Sequence, residues 1–270
     1  MAVEEAFDIP RPSGRILPGT LTPAPGPLVL LLHGMVCGRN HNFAPALAAA
    51  LAAAGFACLR FDFRPIPPSP LEPAHRFRIN GAEDDVDDLV HVAAACAARL
   101  GRPVSALVGH SRGANAALLF AGGACGAALP AVVSIAARFD MTGMLRGRIL
   151  TPPALAALEA GGPPVAWATR GGEALITCED VAAIKAWGDM AGACGAIPCS
   201  TGLFFLHGSK DVNIPLEDAR SFHAARPDSE LLVVEGAAHN FAKFEGVLIE
   251  SVVAYLRKRL QVGEWGASSF

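Results

Sequence analysis

Six short apolar runs, at residues 28–32, 56–61, 104–108, 131–135, 203–206 and 231–234, are each of strand length, and stretches of helical composition separate most of them. A run such as LVLLL presents no polar face to water, so its strand must be covered on both sides. That is the situation of a parallel sheet assembled from βαβ units. The covering helices are predicted at 43–54, 82–100, 112–121 and 216–225, and a long closing helix at 241–260 carries apolar residues at helical spacing. Ahead of the first parallel strand, 7–9 and 15–21 flank a Pro-Ser-Gly turn and predict a small antiparallel hairpin at the sheet edge.

A chain of 270 residues, 52% hydrophobic and 17% charged, buries a large core as one compact domain. Residues from about 141 to 200 break the rhythm with Pro152, Pro153, Gly161, Gly162, Pro163 and Pro164 and two of the three tryptophans, and they read as an inserted cap. The net charge of −3 and the scattered Lys and Arg give no footprint for a nucleic-acid backbone. The first residues lack the basic and apolar regions of a secretory signal, and no apolar stretch supplies the ~20 residues that a membrane span needs. Seven cysteines without repeated spacing argue against a disulfide framework and fit a reducing compartment, so a cytoplasmic location is expected.

No metal or cofactor is expected. Cys194 and Cys199 lack companion ligands at zinc spacing, and the cluster Glu83, Asp84, Asp85, Asp87 and Asp88 suits the positive end of a helix dipole better than an oxygen-ligand loop. The sequence leaves the oligomeric state open.

The chemistry-bearing signals all fall at strand ends. Gly109-His-Ser-Arg-Gly113 follows one predicted strand and opens an Ala-rich helix, the context of a nucleophile elbow with Ser111 as nucleophile. After the strand 28–32 comes His33-Gly-Met35, which is expected to bring the backbone N–H of Met35 beside Ser111 and to form an oxyanion hole with the N–H of Arg112. The strand 203–206 leads to a turn holding Asp211, and the last strand leads to His239, giving the chain order Ser, Asp, His. His239 is then the general base and Asp211 the acid that orients it. Asp140, which follows the strand 131–135, is the rival for the acid.

Other polar residues read as structural. His33, His110 and His207 flank turn glycines and are expected to bond locally, and Cys37 reads as a small buried thiol. Met144, Trp167 and Trp187 in the cap are candidates for a substrate pocket, although aromatic residues there also serve as anchors to the core.

On these residues the sequence resembles α/β hydrolases of the serine aminopeptidase-like group, in particular plant-type esterase/lipase-like proteins and bacterial feruloyl or cinnamoyl esterases. The likeness runs from about 7 to 260 and is carried by LLHGM at 31–35, ALAAAGFACLRFDFR at 50–64, GHSRG at 109–113, SIAARFDM at 134–141, HGSKDVNIPLEDA at 207–219 and VEGAAHNF at 234–241. The resemblance implies an α/β-hydrolase fold and a serine esterase acting on a small or medium carboxylic ester, with the cap lying over the site. The chain departs from many relatives at 65–71, PIPPSPL, where a glycine-rich turn is usual, and a stiffer loop bordering the site is expected. Two other readings stay open at this point: a ligand-binding or receptor protein on a hydrolase scaffold, and acyl transfer or perhydrolysis by the same triad.

Overall fold

A computed structural model of the chain describes residues 3–64, 82–126, 128–145, 149–169 and 172–262. The proline-rich stretch 65–71 lies outside the described residues.

The chain opens with four short strands, β1 (Glu5–Ala6), β2 (Ile9–Pro10), β3 (Ile16–Leu17) and β4 (Gly19–Thr22). The expected alternation follows: β5 (Leu28–Leu32), α1 (Ala44–Ala53), β6 (Ala57–Phe61), α2 (Ala82–Leu100), β7 (Val104–His110), α3 (Arg112–Gly122) and β8 (Ala131–Ile135). The next segment holds a 3₁₀ helix at Met141–Leu145, then α4 (Pro152–Glu159), β9 (Val165–Thr169), β10 (Gly172–Ile176), α5 (Cys178–Trp187) and α6 (Ala191–Ala196). β11 (Gly202–Gly208), α7 (Leu216–Ala225), β12 (Glu230–Val234) and α8 (Glu245–Leu260) close the fold.

Eight strands form the main sheet in the order β1-β4-β6-β5-β7-β8-β11-β12, parallel from β6 to β12, with β4 and β1 antiparallel at one edge. From β5 the chain builds to one side through β6 and to the other through β7. The carboxyl ends of β5 and β7 therefore flank the topological switch point, where open α/β sheets place their ligands.

Every residue of β5, β6 and β8 is buried, as the apolar runs require. One apolar cluster joins the sheet to residues of α2, α3, α6 and α7, and a second joins its other face to α1 and α8. Burying each large side chain, such as Phe56, Leu47 or Phe222, contributes about 2 kcal/mol. Leu158 of α4, Ile176 of β10 and Ile184 of α5 join the first cluster, so the segment between β8 and β11 shares the main core, and its last helix, α6, packs on α3 and α7. Among the described residues no helix is long and apolar enough to cross a membrane.

Two boundaries differ from the sequence pattern. The expected hairpin splits: β2 pairs with β3 as a separate ribbon, while Gly19–Thr22 joins the main sheet beside β6. Pro18 lies at the break, since it has no N–H for a continuous ladder, and its carbonyl instead accepts the N–H of Asp62. The closing helix starts at Glu245 rather than 241, because Phe241 has φ 53° and the Phe244 N–H turns back to its carbonyl.

Candidate active site

Ser111 stands alone between the end of β7 and the start of α3, at φ 55° and ψ −122°, a backbone conformation that costs a non-glycine residue roughly 1–3 kcal/mol. The turn is held from both sides: Ser111 N–H donates to Ile135 O of β8 at 2.8 Å, and its carbonyl accepts the N–H groups of Ala114 and Asn115. The flanking glycines are obligatory. A Cβ on Gly109 would lie 2.4 Å from Gly113 O, and one on Gly113 would lie 2.5 Å from Leu32 O.

The loop after β5 comes close to this elbow, for a Cβ on Gly34 would lie 3.3 Å from Ser111 Cβ. Gly34 to Cys37 form a turn closed by Cys37 N–H to Gly34 O at 3.2 Å, with the β-branched Val36 at φ 59°. His33 fixes the same turn. Its Nε2 accepts the Phe63 N–H at 3.0 Å, so the proton sits on Nδ1, which donates to Gly34 O at 2.9 Å. That carbonyl shares a peptide plane with the Met35 N–H, so Met35's amide is oriented through its neighbour. Arg112 is the first residue of α3, at the positive end of the helix dipole.

Asp211 sits in the turn after β11 with its carboxylate fully buried. Oδ1 accepts the N–H groups of Asn213 at 2.8 Å and Ile214 at 3.0 Å, while Oδ2 accepts Nδ1–H of His239 at 2.7 Å. Burial alone would raise its pKa, but the hydrogen bond and charge of His239, joined by the two amides, outweigh burial and hold the carboxyl below its ordinary value. His207 approaches from within the sheet. Its Nε2 donates to Ile214 O at 3.0 Å and lies 3.5 Å from Asp211 Oδ2.

His239 follows β12 in a loop anchored by the fully buried Phe241 and tied to the acid loop by Lys210 N–H to Ala237 O at 2.9 Å. Its backbone carbonyl accepts Nε2–H of His110 at 2.9 Å, and the two imidazole centroids are 4.8 Å apart. Because His110 directly precedes Ser111, this contact joins the elbow to the loop that carries His239.

Ser111, Met35, Asp211 and His239 thus all lie on loops at the carboxyl ends of parallel strands, and Arg112 opens α3 directly after Ser111. Asp140 is exposed and turned into its own loop, where Oδ1 accepts the N–H and hydroxyl of Thr142 at 3.0 and 2.6 Å. Met144 is buried in the first apolar cluster, and Trp167 and Trp187 are half-buried against it, so their described contacts are with the core. None of the seven cysteines is paired in a disulfide among the described residues, and Cys37 is half-buried. Among the described residues no group of three or more His, Cys, Asp and Glu is placed to hold a metal ion. The acidic residues of α2 face arginines instead: Asp84 and Asp88 pair with Arg64, Asp87 with Arg11, and Asp85 with Arg112.

Two links escape sequence reasoning. The His110 to His239 contact spans 129 residues, so its only trace in the sequence is its place beside the elbow serine. The approach of His207 to Asp211 is foreshadowed only by a spacing of four residues.

Comparison with solved structures finds the same fold in esterases. Est1E from Butyrivibrio proteoclasticus with ferulic acid bound superposes at a TM-score of 0.76 and 16% identity, over 95% of this chain and 100% of that one. The esterase domain of a Rhodothermus marinus protein gives 0.68 and 19%, over 96% and 99%. The Pyrococcus furiosus esterase Pf2001 gives 0.67 and 17%, over 96% and 93%. At these identities the likeness is one of fold. Comparison with curated proteins finds no match. The family model described as serine aminopeptidase, S33 (Hydrolase_4) matches residues 23–178, more than half of the sequence and including the Ser111 elbow, and the chain belongs to this family of α/β hydrolases.

Proposed function

We propose that this protein is a serine esterase that hydrolyses a carboxylic ester through Ser111, His239 and Asp211. The observation that carries the reading is the 2.7 Å bond from His239 Nδ1 to a buried Asp211 carboxylate, on a loop tied to the elbow by His110. With Nδ1 committed to Asp211, Nε2 is the nitrogen left to accept the Ser111 proton.

Ser111 Oγ attacks the ester carbonyl carbon while His239 takes the hydroxyl proton. The amides of Met35 and Arg112 receive the negative charge on the tetrahedral oxygen. Collapse expels the alcohol, which leaves with the proton held by His239 and leaves an acyl-Ser111 ester. Water, deprotonated by His239, repeats the sequence and frees the acid and the serine. In this reading the segment 141–200 serves as the cap, with Met144, Trp167 and Trp187 joining it to the core.

Similarity to a ferulate-binding esterase supports including hydroxycinnamate esters in the substrate panel. Initial rates on nitrophenyl esters of graded chain length and on methyl hydroxycinnamates test the reading. Ser111→Ala is expected to lower kcat by roughly ten-thousand-fold or more, and full turnover by that variant overturns it.

A further inference from the structure

His110 is 7% exposed, and its ring lies among the three loops that carry the proposed chemistry. It precedes Ser111, its Nδ1 would be 3.3 Å from a Cβ on Gly34, and its Nε2 meets His239 O at 2.9 Å. Phe43 packs edge-on against it at 5.4 Å between ring centroids. A carbonyl oxygen only accepts, so Nε2 carries the proton and donates.

We propose that His110 is a positioning residue of the site: its Nε2–H holds the backbone carbonyl of His239 and so fixes the base relative to the Ser111 elbow. A serine on a strained turn and a histidine on a separate loop must meet within a few tenths of an ångström. The loop 235–244 is anchored by Phe241 at its far side, by Ala237 toward the acid loop and by Asn240, whose Oδ1 accepts Asn42 Nδ2–H at 3.2 Å, while the carbonyl of the His239 peptide is held by His110. A hydrophobic residue of similar shape would fill the space without supplying the donor.

The titratable groups that face His110 are His239 on the base loop, Asp211 on the acid loop and His41 ahead of α1. Burial, helped by the nearby His239, depresses the His110 pKa to about 3, so the ring stays neutral through the range in which a serine hydrolase works. In the neutral ring the carbonyl of His239 at Nε2 fixes the tautomer as Nε2–H.

The inference rests on the esterase reading, so kinetics of Ser111→Ala, His110→Phe and His110→Gln are measured together on a nitrophenyl ester. His110→Phe is expected to lower kcat by about a hundredfold with KM changed less than about twofold, the loss typical of a small displacement of a reacting group. His110→Gln, whose side-chain amide places a donor near the same point, is expected to recover most of that loss. Wild-type kcat in His110→Phe, or no recovery in His110→Gln, overturns the positioning role while an inactive Ser111→Ala leaves the esterase reading standing. An active Ser111→Ala overturns both. If His110→Phe does not fold, side-chain ¹⁵N spectra of the wild-type protein decide. A Nε2–H tautomer of the neutral ring supports the role, and a Nδ1–H tautomer overturns it.

Discussion

Asp85, near the start of α2, holds the guanidinium of Arg112 with both carboxylate oxygens: Arg112 Nε bonds Oδ2, and Nη2 bonds Oδ1 at 3.1 Å. A buried acid on one helix is thereby joined to the residue that follows Ser111. Asn cannot supply both charged acceptors to the guanidinium, so Asp85→Asn is expected to lower the unfolding free energy by about 2 kcal/mol, the size of a charge-assisted hydrogen bond. Chemical denaturation measures it, and a loss below about 0.5 kcal/mol, the size of a surface pair, contradicts the expectation.

Asp211→Asn removes the group that fixes the His239 tautomer. The expected result is a fall in kcat of roughly ten-thousand-fold with the fold retained. Because the folded carboxyl is held below its ordinary pKa, its contribution to stability is present above the unfolded value of ~3.9 and is lost as pH falls through the folded value. The stability difference between wild type and Asp211→Asn should therefore shrink as pH is lowered below about 4. A pH-independent difference contradicts the account.

Three histidines, His33, His110 and His207, are depressed chiefly by burial. A base with a lowered folded pKa takes up its proton only on unfolding once the pH is below ~6.5, so its stability contribution is complete above that value and is lost as pH falls. Together they are expected to steepen the loss to as much as about 4 kcal/mol per pH unit below ~6. Guanidinium unfolding between pH 7 and 5 measures the slope, and a flat profile sinks the claim. His110→Gln should reduce the slope by about one proton.

Arg60 on β6 is almost fully buried, and among the described residues Nε and Nη1 have no hydrogen-bond partner while Nη2 bonds Glu4 at 2.8 Å. Glu4→Gln should cost about 2 kcal/mol, discounted because Glu4 is itself exposed, whereas Arg60→Met should cost less or stabilise. The thermal midpoints of the two variants rank them, and the reverse order contradicts the argument.

Val36 holds a β-branched side chain at φ 59° in the turn beside Met35. Relief of that strain, less the added freedom of a glycine in the unfolded chain, predicts that Val36→Gly raises stability by about 1 kcal/mol. A lowered thermal midpoint in calorimetry counts against it.

The parallel strands are legible in the sequence because burial on both faces leaves runs such as LVLLL and AVVSI without polar residues. The loops bearing Ser111, Asp211 and His239 are legible for a related reason, since each polar motif stands directly after one of those runs. Contacts between loops leave no such trace. His110, His33 and His207 look alike beside their glycines, yet each bonds a different backbone carbonyl, and the His110 contact depends on the sheet order bringing β7 near the loop after β12. Asp85 reads as one acid among five at a helix start, and only the packing of α2 on α3 directs it to Arg112. The split of the hairpin turns on one residue, Pro18, which a turn signal alone does not weigh.

A serine at 111 activated by His239 should take a covalent label from a fluorophosphonate, and intact-mass and peptide-mass analysis reads that label out. One adduct per chain is expected, on Ser111, formed quickly by the wild type, slowly by His239→Ala and not at all by Ser111→Ala. No adduct on folded wild-type protein, or an adduct that persists in Ser111→Ala, would contradict it.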